Sequence, residues 1–500
     1  MSKLLVFAIG IFTFFIVPTD GLCSANLYYF NASRSLKASN FRKNVQELSQ
    51  YYGLNLISID EDGQSSHLNN DDMVGSKKPE AAIVNITPPL SPNAFEIIEG
   101  IRNSLRDDSP ILFVTRPTNA YSDLLNRLSV GAIIGLSPIN EKDQVVSFPM
   151  NHQRAFLKEF FGQSVSVKGL KAAHFLLGDE QQIESIMTIS DKDKKALPFL
   201  AGIDGESGLM FFAIAPELDL SSTNSLKITW ESHLLTLLPF MGFIEYSFGE
   251  WVWHNDIHLA NLTIDDPRLI EPYGFLNYEQ LVNNMKNAGF HTSIAFIPWN
   301  FDRNQQKVID LFKKNPNLLS IVAHGNNHDH YEFDTSTKYS SPMNSERFQE
   351  DINQAKLRMN RFSELTGLTY DKVMVFPHNI GNEQSLAFLK KNNSLATFNA
   401  TNLPLGMEVP KDLFFKLKTY YSFSGLPSVR RFGPKNLSSF DIASHLFLDN
   451  PIIYFSHHDY FQNGMDSFNW VPEKIRAIGS DLKWSSLGKI AKNLYLVRKT

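Results

Sequence analysis

The chain has 500 residues, 43% of them hydrophobic and 20% charged, with a formal net charge of -5. This length and composition predict a globular protein of about two to three domains, and the slightly acidic charge excludes binding to nucleic acid or to an anionic lipid surface. The only cysteine is Cys23, which excludes a disulfide framework, a thiolate metal site and a cysteine nucleophile in the rest of the chain.

The N-terminus is typical of an exported protein. Lys3 precedes an apolar run, Leu4 to Val17, that a proline and turn residues end. Such a run is too short to span a bilayer comfortably and fits the core of a signal peptide. We expect residues 1–25 to be a signal peptide, so that the mature protein is secreted or periplasmic and has no transmembrane helix. A lipid anchor on Cys23 is the alternative.

The region from Asn26 to about Glu245 predicts a doubly wound α/β domain, because short β-rich runs alternate with helical patterns. The predicted strands are Leu27–Phe30, Leu54–Ile59, Ala81–Ile86, Ile111–Thr115 and Val130–Leu136, and the predicted helices are Phe41–Tyr52 and Ala94–Leu105. Glu61–Lys78 indicates a surface loop, and Asp204-Gly205 predicts the turn of a hairpin within Gly202–Pro216. The region resembles the flavodoxin-like or glutamine-amidotransferase-like accessory domains of secreted carbohydrate enzymes. That resemblance implies a structural or substrate-presenting role for residues 26–245.

Residues 246–500 show a more regular alternation of strands and helices. Apolar residues at helical spacing between Tyr278 and Ala288, with Gly289 as the stop, predict one of these helices. The predicted strands are Leu262–Ile264, Ser293–Ile297, Leu318–Ala323, Val373–Phe376, Leu395–Phe398 and Ile452–Phe455, and further helices are predicted around Val308–Phe312 and over Ser345–Leu365, Glu383–Lys391 and Ser439–Leu448. Six or seven such units in sequence predict a parallel β/α barrel, complete or incomplete.

Polar residues follow these strands directly. They are Asp265-Asp266, Trp299-Asn300, His324, Pro377-His378, Asn399 and His457-His458. In a β/α barrel the carboxyl ends of the strands meet on one face, which is where such enzymes keep their chemistry. We therefore expect residues far apart in the chain to share one pocket.

Two histidines and an aspartate of this set predict a metal site. His324 and His328 can turn toward one ion if their loop coils into a helical turn, because positions four apart share a face. A carboxylate oxygen of Asp266 would complete a set that leaves positions open for water and substrate, as in catalytic zinc sites. Such a metal lowers the pKa of a bound water to about 7, and Asp265 could accept the proton of that water as general base.

The order T-I-D-D at 263–266, H-x-x-x-H at 324–328, a proline-containing strand end and a late apolar strand followed by histidine resembles the polysaccharide deacetylases, the carbohydrate esterases of NodB-homology type. The resemblance covers about half the chain, from Trp251 to Thr500. It implies that Asp265 is the base, that Asp266, His324 and His328 bind the metal, and that His457 is the acid. The implied reaction removes N-acetyl groups from an N-acetylhexosamine polymer with one divalent metal, zinc or else cobalt or nickel.

The chain departs from the family pattern at several positions. Pro267 replaces the usual glycine, and Val375-Phe376-Pro377 lacks the arginine of the family's R-x-P motif. His378, Arg430 and Arg431 are the candidates to replace that arginine, and His458 is the alternative to His457. Four further residues are candidates for substrate binding or for orienting a ligand: Trp299, His330, Glu332 and Tyr460.

Two classes of function remain open at the level of sequence. The first is a secreted metal-dependent deacetylase that acts on a polysaccharide or oligosaccharide. The second is a non-catalytic glycan-binding protein on the same barrel, which the missing arginine favours. A different metal-dependent amidase or esterase is an intermediate alternative.

Overall fold

A computed structural model of the protein describes residues 25–33, 38–59, 78–87, 89–117, 122–139, 143–150, 156–168, 172–191, 196–205, 208–214, 229–255, 257–329, 332–333, 347–479 and 482–495. The predicted signal segment with Cys23, nearly all of the predicted loop Glu61–Lys78, and His330 lie outside these residues. Among the described residues, no helix combines the length and the apolar character needed to cross a membrane.

The chain forms two compact units, Pro18–Asn255 with Lys411–Leu417, and Asp256–Pro410 with Lys418–Lys499. The predicted division of the chain after residue 245 stays a prediction. Both units combine helices with sheets, so the predicted α/β class is confirmed.

The N-terminal unit begins with alternating strands and helices and continues with strands. Its strands are β1 (Asn26–Asn31), β2 (Asn55–Ile59), β3 (Glu80–Asn85), β4 (Ile111–Thr115), β5 (Ile133–Ile139), β6 (Asp143–Ser147), β7 (Ser164–Lys168), β8 (Ala172–Leu177), β9 (Glu184–Asp191), β10 (Leu197–Gly205) and β11 (Gly208–Ile214). Its helices are α1 (Ala38–Tyr52), α2 (Ala94–Ser104), α3 (Ser122–Leu128) and α4 (Trp230–Phe248).

Nine of these strands form one mixed sheet in the order β2-β1-β3-β4-β11-β10-β9-β6-β7. The pairs from β2 to β11 are parallel, and the pairs from β11 to β7 are antiparallel. The hairpin predicted within Gly202–Pro216 is confirmed, since β10 and β11 pair antiparallel, but Asp204 and Gly205 are the last residues of strand β10 and not the turn. The strand predicted at Val130–Leu136 begins later, at Ile133, and it pairs with β8 in a separate two-stranded sheet.

The C-terminal unit contains nine strands and seven helices among the described residues. The strands are β12 (Leu259–Asp265), β13 (Thr292–Phe296), β14 (Leu319–His324), β15 (Asp371–Val375), β16 (Ala396–Asn399), β17 (Tyr420–Phe423), β18 (Leu426–Arg430), β19 (Ile452–Ser456) and β20 (Lys483–Trp484). The helices are α5 (Tyr278–Ala288), α6 (Gln306–Lys314), α7 (Arg347–Thr366), α8 (Glu383–Lys391), α9 (Ser439–Phe447), α10 (Trp470–Ile478) and α11 (Leu487–Asn493).

The sheet of this unit runs β17-β18-β16-β15-β14-β13-β12-β19, and β20 pairs with β12. Every pair except β17–β18 is parallel. Just past β18, Phe432 forms a parallel bridge with Tyr454 of β19. Phe432 donates its backbone N–H to the carbonyl of Ile453 at 2.8 Å and accepts the N–H of Phe455 at 2.9 Å.

Local sequence explains why the helices of this unit end where they do. In α5 all the apolar positions that predicted the helix are buried, the Asn277 side chain accepts the N–H of Gln280, and Gly289 ends the helix at a φ of 73°. A left-handed residue at this point is a common helix end, and glycine adopts it without steric penalty. Helix α8 begins and ends at the predicted residues, Glu383 and Lys391.

Candidate metal centre

The two adjacent carboxylates stand at the end of a buried strand. Every residue of β12 is buried, including Asp265 at its last position. Asp266 turns away at a φ of 79°, in the left-handed region that aspartate tolerates better than most residues. Its N–H donates to the carbonyl of Ala295 in β13 at 3.1 Å. Because of this turn the two side chains reach different partners.

Asp266 lies against two histidines. Its Oδ1 atom is 3.2 Å from Nε2 of His324 and 3.4 Å from Nε2 of His328. His324 ends β14 and is buried, and its Nδ1 donates to the carbonyl of Val375 at 3.1 Å. A carbonyl only accepts, so this bond assigns the proton to Nδ1 and directs Nε2 toward the aspartate.

One ligand atom from each of Asp266, His324 and His328 lies within 4.8 Å of the other two. The donors are two imidazole nitrogens and a carboxylate oxygen, the set expected for a catalytic divalent metal. Asp266 Oδ1 is buried, and among the described residues it has no donor while His324 is neutral, because the proton of that ring is then on Nδ1. A buried carboxylate oxygen without a donor fits a cation site, because a bound cation would supply the missing partner. The residues present therefore fit the metal that the sequence predicts.

The electrostatics of the triad favour an ionised aspartate. Burial opposes ionisation of Asp266, but its hydrogen bond with His324 and the charges of His324, His328 and His457 outweigh burial and hold its pKa at about 2. Burial likewise opposes charge on His324, yet the hydrogen bond to Asp266 and the two nearby carboxylates raise the pKa of this ring. In the metal-free protein a proton on His324 thus competes with a cation for the space between this ring and Asp266.

Asp265 is bound by a buried arginine. Arg431 donates from both terminal nitrogens to the two carboxylate oxygens, at 2.7 and 2.9 Å. The Arg431 side chain is 0% exposed and the Asp265 side chain 4%. Arg431 follows β18 and also donates to Asn379 Oδ1 at 3.4 Å. Of the three candidates to replace the family arginine, the structure places Arg431 on the aspartate.

His457 approaches the triad from the end of β19. Its Nε2 is 3.7 Å from Asp266 Oδ2, and its side chain is 50% exposed. His458 lies against another segment, with its ring 5.4 Å from that of Tyr273 and 6.1 Å from that of Phe275. The two adjacent histidines therefore have different surroundings, and His457 is the one that contacts the triad.

The loop between the two metal histidines is not the helical turn expected from the sequence. Gly325 and His328 have φ values of 61° and 60°, so the expected turn is wrong. The loop is instead held by Glu332, whose carboxylate accepts the backbone N–H groups of Asn326 and Asn327 at 2.7 Å and of Asp329 at 3.1 Å. Burial raises the pKa of Glu332 despite these hydrogen bonds.

Helix α7 fixes the same loop through the Asn326 side chain. The Asn326 amide nitrogen donates to Asp351 and to Gln354, both at 2.8 Å, and its oxygen accepts from Arg358. Positions three, four and seven apart share a helix face, so one face of α7 makes hydrogen bonds with both the nitrogen and the oxygen of the buried Asn326 side-chain amide. Sequence reasoning missed this contact, although the spacing of Asp351, Gln354 and Arg358 was the available signal.

The other candidates have varied positions. Trp299 lies in the short 3₁₀ turn Pro298–Asn300 after β13, and its backbone N–H donates to the Asn326 carbonyl at 2.9 Å. His378 has a φ of 55°, and its ring centroid is 4.8 Å from that of His328.

The Tyr460 hydroxyl donates to the Ser467 carbonyl at 3.0 Å and accepts the Trp470 indole N–H at 3.3 Å. Glu332 acts on the metal loop, and His330 lies outside the described residues.

No protein-family model and no curated protein matches this sequence. A search of solved structures finds Agd3, described as a novel carbohydrate deacetylase, at a TM-score of 0.55 and 10% identity, covering 94% of this chain and 87% of Agd3. The chain shares its fold with that deacetylase. The predicted resemblance to polysaccharide deacetylases is thereby confirmed at the level of fold, and with Agd3 it extends beyond the C-terminal half.

Two further solved structures match about half of the chain. One is a family 4 carbohydrate esterase from Streptomyces lividans in complex with acetate, at a TM-score of 0.28 and 12% identity, covering 47% of this chain and 94% of the esterase. The other is a CE4-family pseudoenzyme from Bacillus anthracis, at a TM-score of 0.29 and 10% identity, covering 48% of this chain and 66% of the pseudoenzyme.

Proposed function

We propose that the protein is a metal-dependent hydrolase that removes N-acetyl groups from a polysaccharide containing N-acetylhexosamine. The observation that carries the proposal is the pair of adjacent aspartates with separate partners. Asp266 faces His324 and His328, whereas Asp265 is bound by Arg431. This separation supports the proposal that one carboxylate binds a cation and the other moves a proton.

Asp266, His324 and His328 would hold the metal, and zinc suits two imidazoles and one carboxylate. When bound, a divalent cation lowers the pKa of a coordinated water and polarises the amide carbonyl. The Val375 carbonyl keeps Nε2 of His324 directed at the site, and Glu332 holds the loop that carries His328. The chain's own contribution here is to fix the positions of the ligands before a metal arrives.

Asp265 is the proposed general base. Two hydrogen bonds from Arg431 fix the plane of its carboxylate. A carboxylate held beside the metal ligands can accept the proton of the attacking water. Arg431 is therefore a positioning residue for the base.

His457 is the proposed general acid. Its half-exposed ring lies beside the triad, with Nε2 at 3.7 Å from Asp266 Oδ2, where it can reach a leaving group. A protonated imidazole can deliver a proton to the departing amine. We propose His457 for this role in preference to His458, because His458 lies against Tyr273 and Phe275.

We also propose that the C-terminal unit is a β/α barrel and that residues 26–245 form an accessory domain behind a signal peptide, residues 1–25, in a secreted or periplasmic protein. The barrel is supported by the Phe432–Tyr454 bridge, which links the β18 side of the sheet to β19. It is supported as well by one buried cluster of side chains from seven strands and from α11: Leu259, Ala295, Val322, Val373, Val375, Ala396, Phe398, Val429, Ile453, Leu487, Ile490 and Ala491.

The proposal is tested by release of acetate from N-acetylglucosamine and N-acetylgalactosamine oligomers. We expect release by the zinc-loaded protein, loss with a chelator, and recovery when zinc is added back. Asp265→Asn is expected to abolish release while zinc stays bound. A protein that binds the oligomers but releases no acetate at any metal loading would instead be a glycan-binding protein. The missing family arginine favoured that alternative, and the position of Arg431 removes this reason for it.

A further inference from the structure

Trp299 is an exposed aromatic residue on a fixed turn beside the metal loop. Its exposed fraction is 46%, whereas Pro298 and Asn300 on either side are buried. The turn follows β13 directly, and β13 pairs in parallel with β14, the strand that ends at His324. A large apolar side chain that stays exposed on a rigid turn next to a candidate active site is a feature to explain, because burial would be the favourable state.

The position of the turn that carries Trp299 is set by the metal loop. The Trp299 backbone N–H donates to the carbonyl of Asn326, which lies between His324 and His328. The Arg358 guanidinium lies over the ring, 4.5 Å from its centroid, and also donates to the Asn326 side chain. The Arg303 guanidinium also lies over the ring, at 5.9 Å from its centroid. Cations so placed stabilise the ring in its orientation.

We propose that the exposed part of the Trp299 ring is a subsite for a pyranose ring of the polysaccharide, next to the sugar that carries the reacting acetyl group. This inference rests on the proposed function and adds where the chain of the substrate lies. The C–H face of a pyranose is apolar and stacks on an aromatic ring, and the ring keeps its own fixed position without further ordering. Guanidinium N–H groups at the rim can donate to sugar hydroxyls.

The chain offers a matched control for this proposal. Trp251 has the same exposed fraction, 46%, but it belongs to the N-terminal unit. Removing either indole changes the exposed aromatic surface by a similar amount. Only Trp299 is attached to the loop that carries the metal histidines, so a difference between the two variants reports on the subsite.

The test measures binding in the Asp265→Asn background, so that turnover does not interfere. Isothermal titration calorimetry gives the Kd for N-acetylglucosamine and N-acetylgalactosamine tetramers and for the two monosaccharides. Trp299→Ala is expected to raise the Kd of the preferred tetramer about tenfold, equivalent to about 1.4 kcal/mol. It should leave the monosaccharide Kd and the zinc content unchanged. Trp299→Phe should retain most of the affinity, and Trp251→Ala all of it.

Three results would overturn the subsite: an unchanged tetramer Kd in Trp299→Ala, an equal loss for tetramer and monosaccharide, or no binding of either tetramer to the parent. Acetate release by the wild-type protein is measured separately. Release that persists without any effect of Trp299→Ala contradicts the subsite alone. Binding that depends on Trp299 without acetate release contradicts the deacetylase proposal and leaves the stacking site in place.

Discussion

Arg431 binds both carboxylate oxygens of Asp265 although the two residues are 166 positions apart in the chain. Both side chains are almost completely buried. A buried ion pair of this geometry contributes little net stability by itself, because both groups lose their hydration. Losing one partner is a different matter, since the other charge then stays buried without compensation. The role of the pair is therefore better understood as fixing the position of the Asp265 carboxylate beside the metal ligands.

We predict that Arg431→Met lowers kcat for deacetylation by about a hundredfold or more, since an unsupported base loses most of its contribution. Without the guanidinium, the Asp265 carboxylate loses the two hydrogen bonds that fix its position beside the metal ligands. The loss should therefore appear in kcat while zinc content stays the same. Because the pair is buried, we also expect a loss of about 3–5 kcal/mol in the free energy of unfolding.

Arg430→Met is the control for this prediction, because Arg430 precedes Arg431 directly and its guanidinium lies over the Phe432 ring, at 4.9 Å from the centroid. It should leave kcat unchanged. A kcat for Arg431→Met within about threefold of the wild-type value would show that Asp265 acts without this arginine or is not the base.

A second prediction concerns the support of the metal loop. In Glu332→Gln one carboxylate oxygen is replaced by an amide N–H₂, which cannot accept the backbone N–H groups that Glu332 holds in the native protein. We expect zinc affinity to fall about tenfold, as is typical when a group that orients a ligand is removed. Competition with a chromophoric chelator measures it, and Glu364→Gln on the exposed side of α7 is the control. Equal zinc affinity in both variants would contradict the role of Glu332.

The parts of the fold that were predicted from sequence are those that local patterns determine. Helix α5 was predicted because one face is apolar and Gly289 ends it, and both features depend only on near neighbours. The approach of Asp266 to His324 and His328 followed from a second rule, that parallel strands end on the same side of a sheet. Neither inference requires knowledge of contacts between distant side chains.

The features of the site that were not predicted depend on contacts between distant side chains or on unusual backbone conformations. Arg431 follows the hairpin of β17 and β18. The second strand of this hairpin is hard to predict from sequence, because it contains Pro427 and a proline argues against a strand. The metal loop was expected to be helical, but the left-handed conformations of Gly325 and His328 exclude a helical turn. The hydrogen bonds from α7 to Asn326 join segments that no local pattern connects.

A third prediction concerns pH. The pKa of His324 is raised in the metal-free protein, so its charged form adds stability that is present below the pKa of the unfolded residue, about 6.5, and is lost as pH rises through the folded pKa. A metal requires the neutral ring, so zinc affinity should weaken as pH falls below that raised value. Asp266, with its pKa at about 2, stays ionised across this range and does not contribute.

Zinc titrations between about pH 6 and pH 8 should therefore show binding that strengthens with pH and that releases a proton. Calorimetry in two buffers of different ionisation enthalpy counts the proton. Thermal unfolding of the metal-free protein should show the opposite trend, with stability decreasing as pH rises through the pKa of His324. Zinc affinity that is independent of pH over this range would contradict the raised pKa.

The last prediction uses two glycines with left-handed backbones in the same unit. Gly325 has a φ of 61° and Gly406 a φ of 81°, so alanine at either position is strained, by about 1–2 kcal/mol. A Cβ at Gly325 would also collide with Glu332 Oε2 and with Pro377 Cγ, whereas nothing lies within 4 Å of a Cβ at Gly406. Gly325→Ala should therefore lower Tm further than Gly406→Ala. Because Gly325→Ala also displaces the metal loop, it should weaken zinc binding, whereas Gly406→Ala should not. Equal effects of the two substitutions on Tm and on zinc affinity, measured by calorimetry, would show that the loop can move away from Glu332 without consequence for the metal.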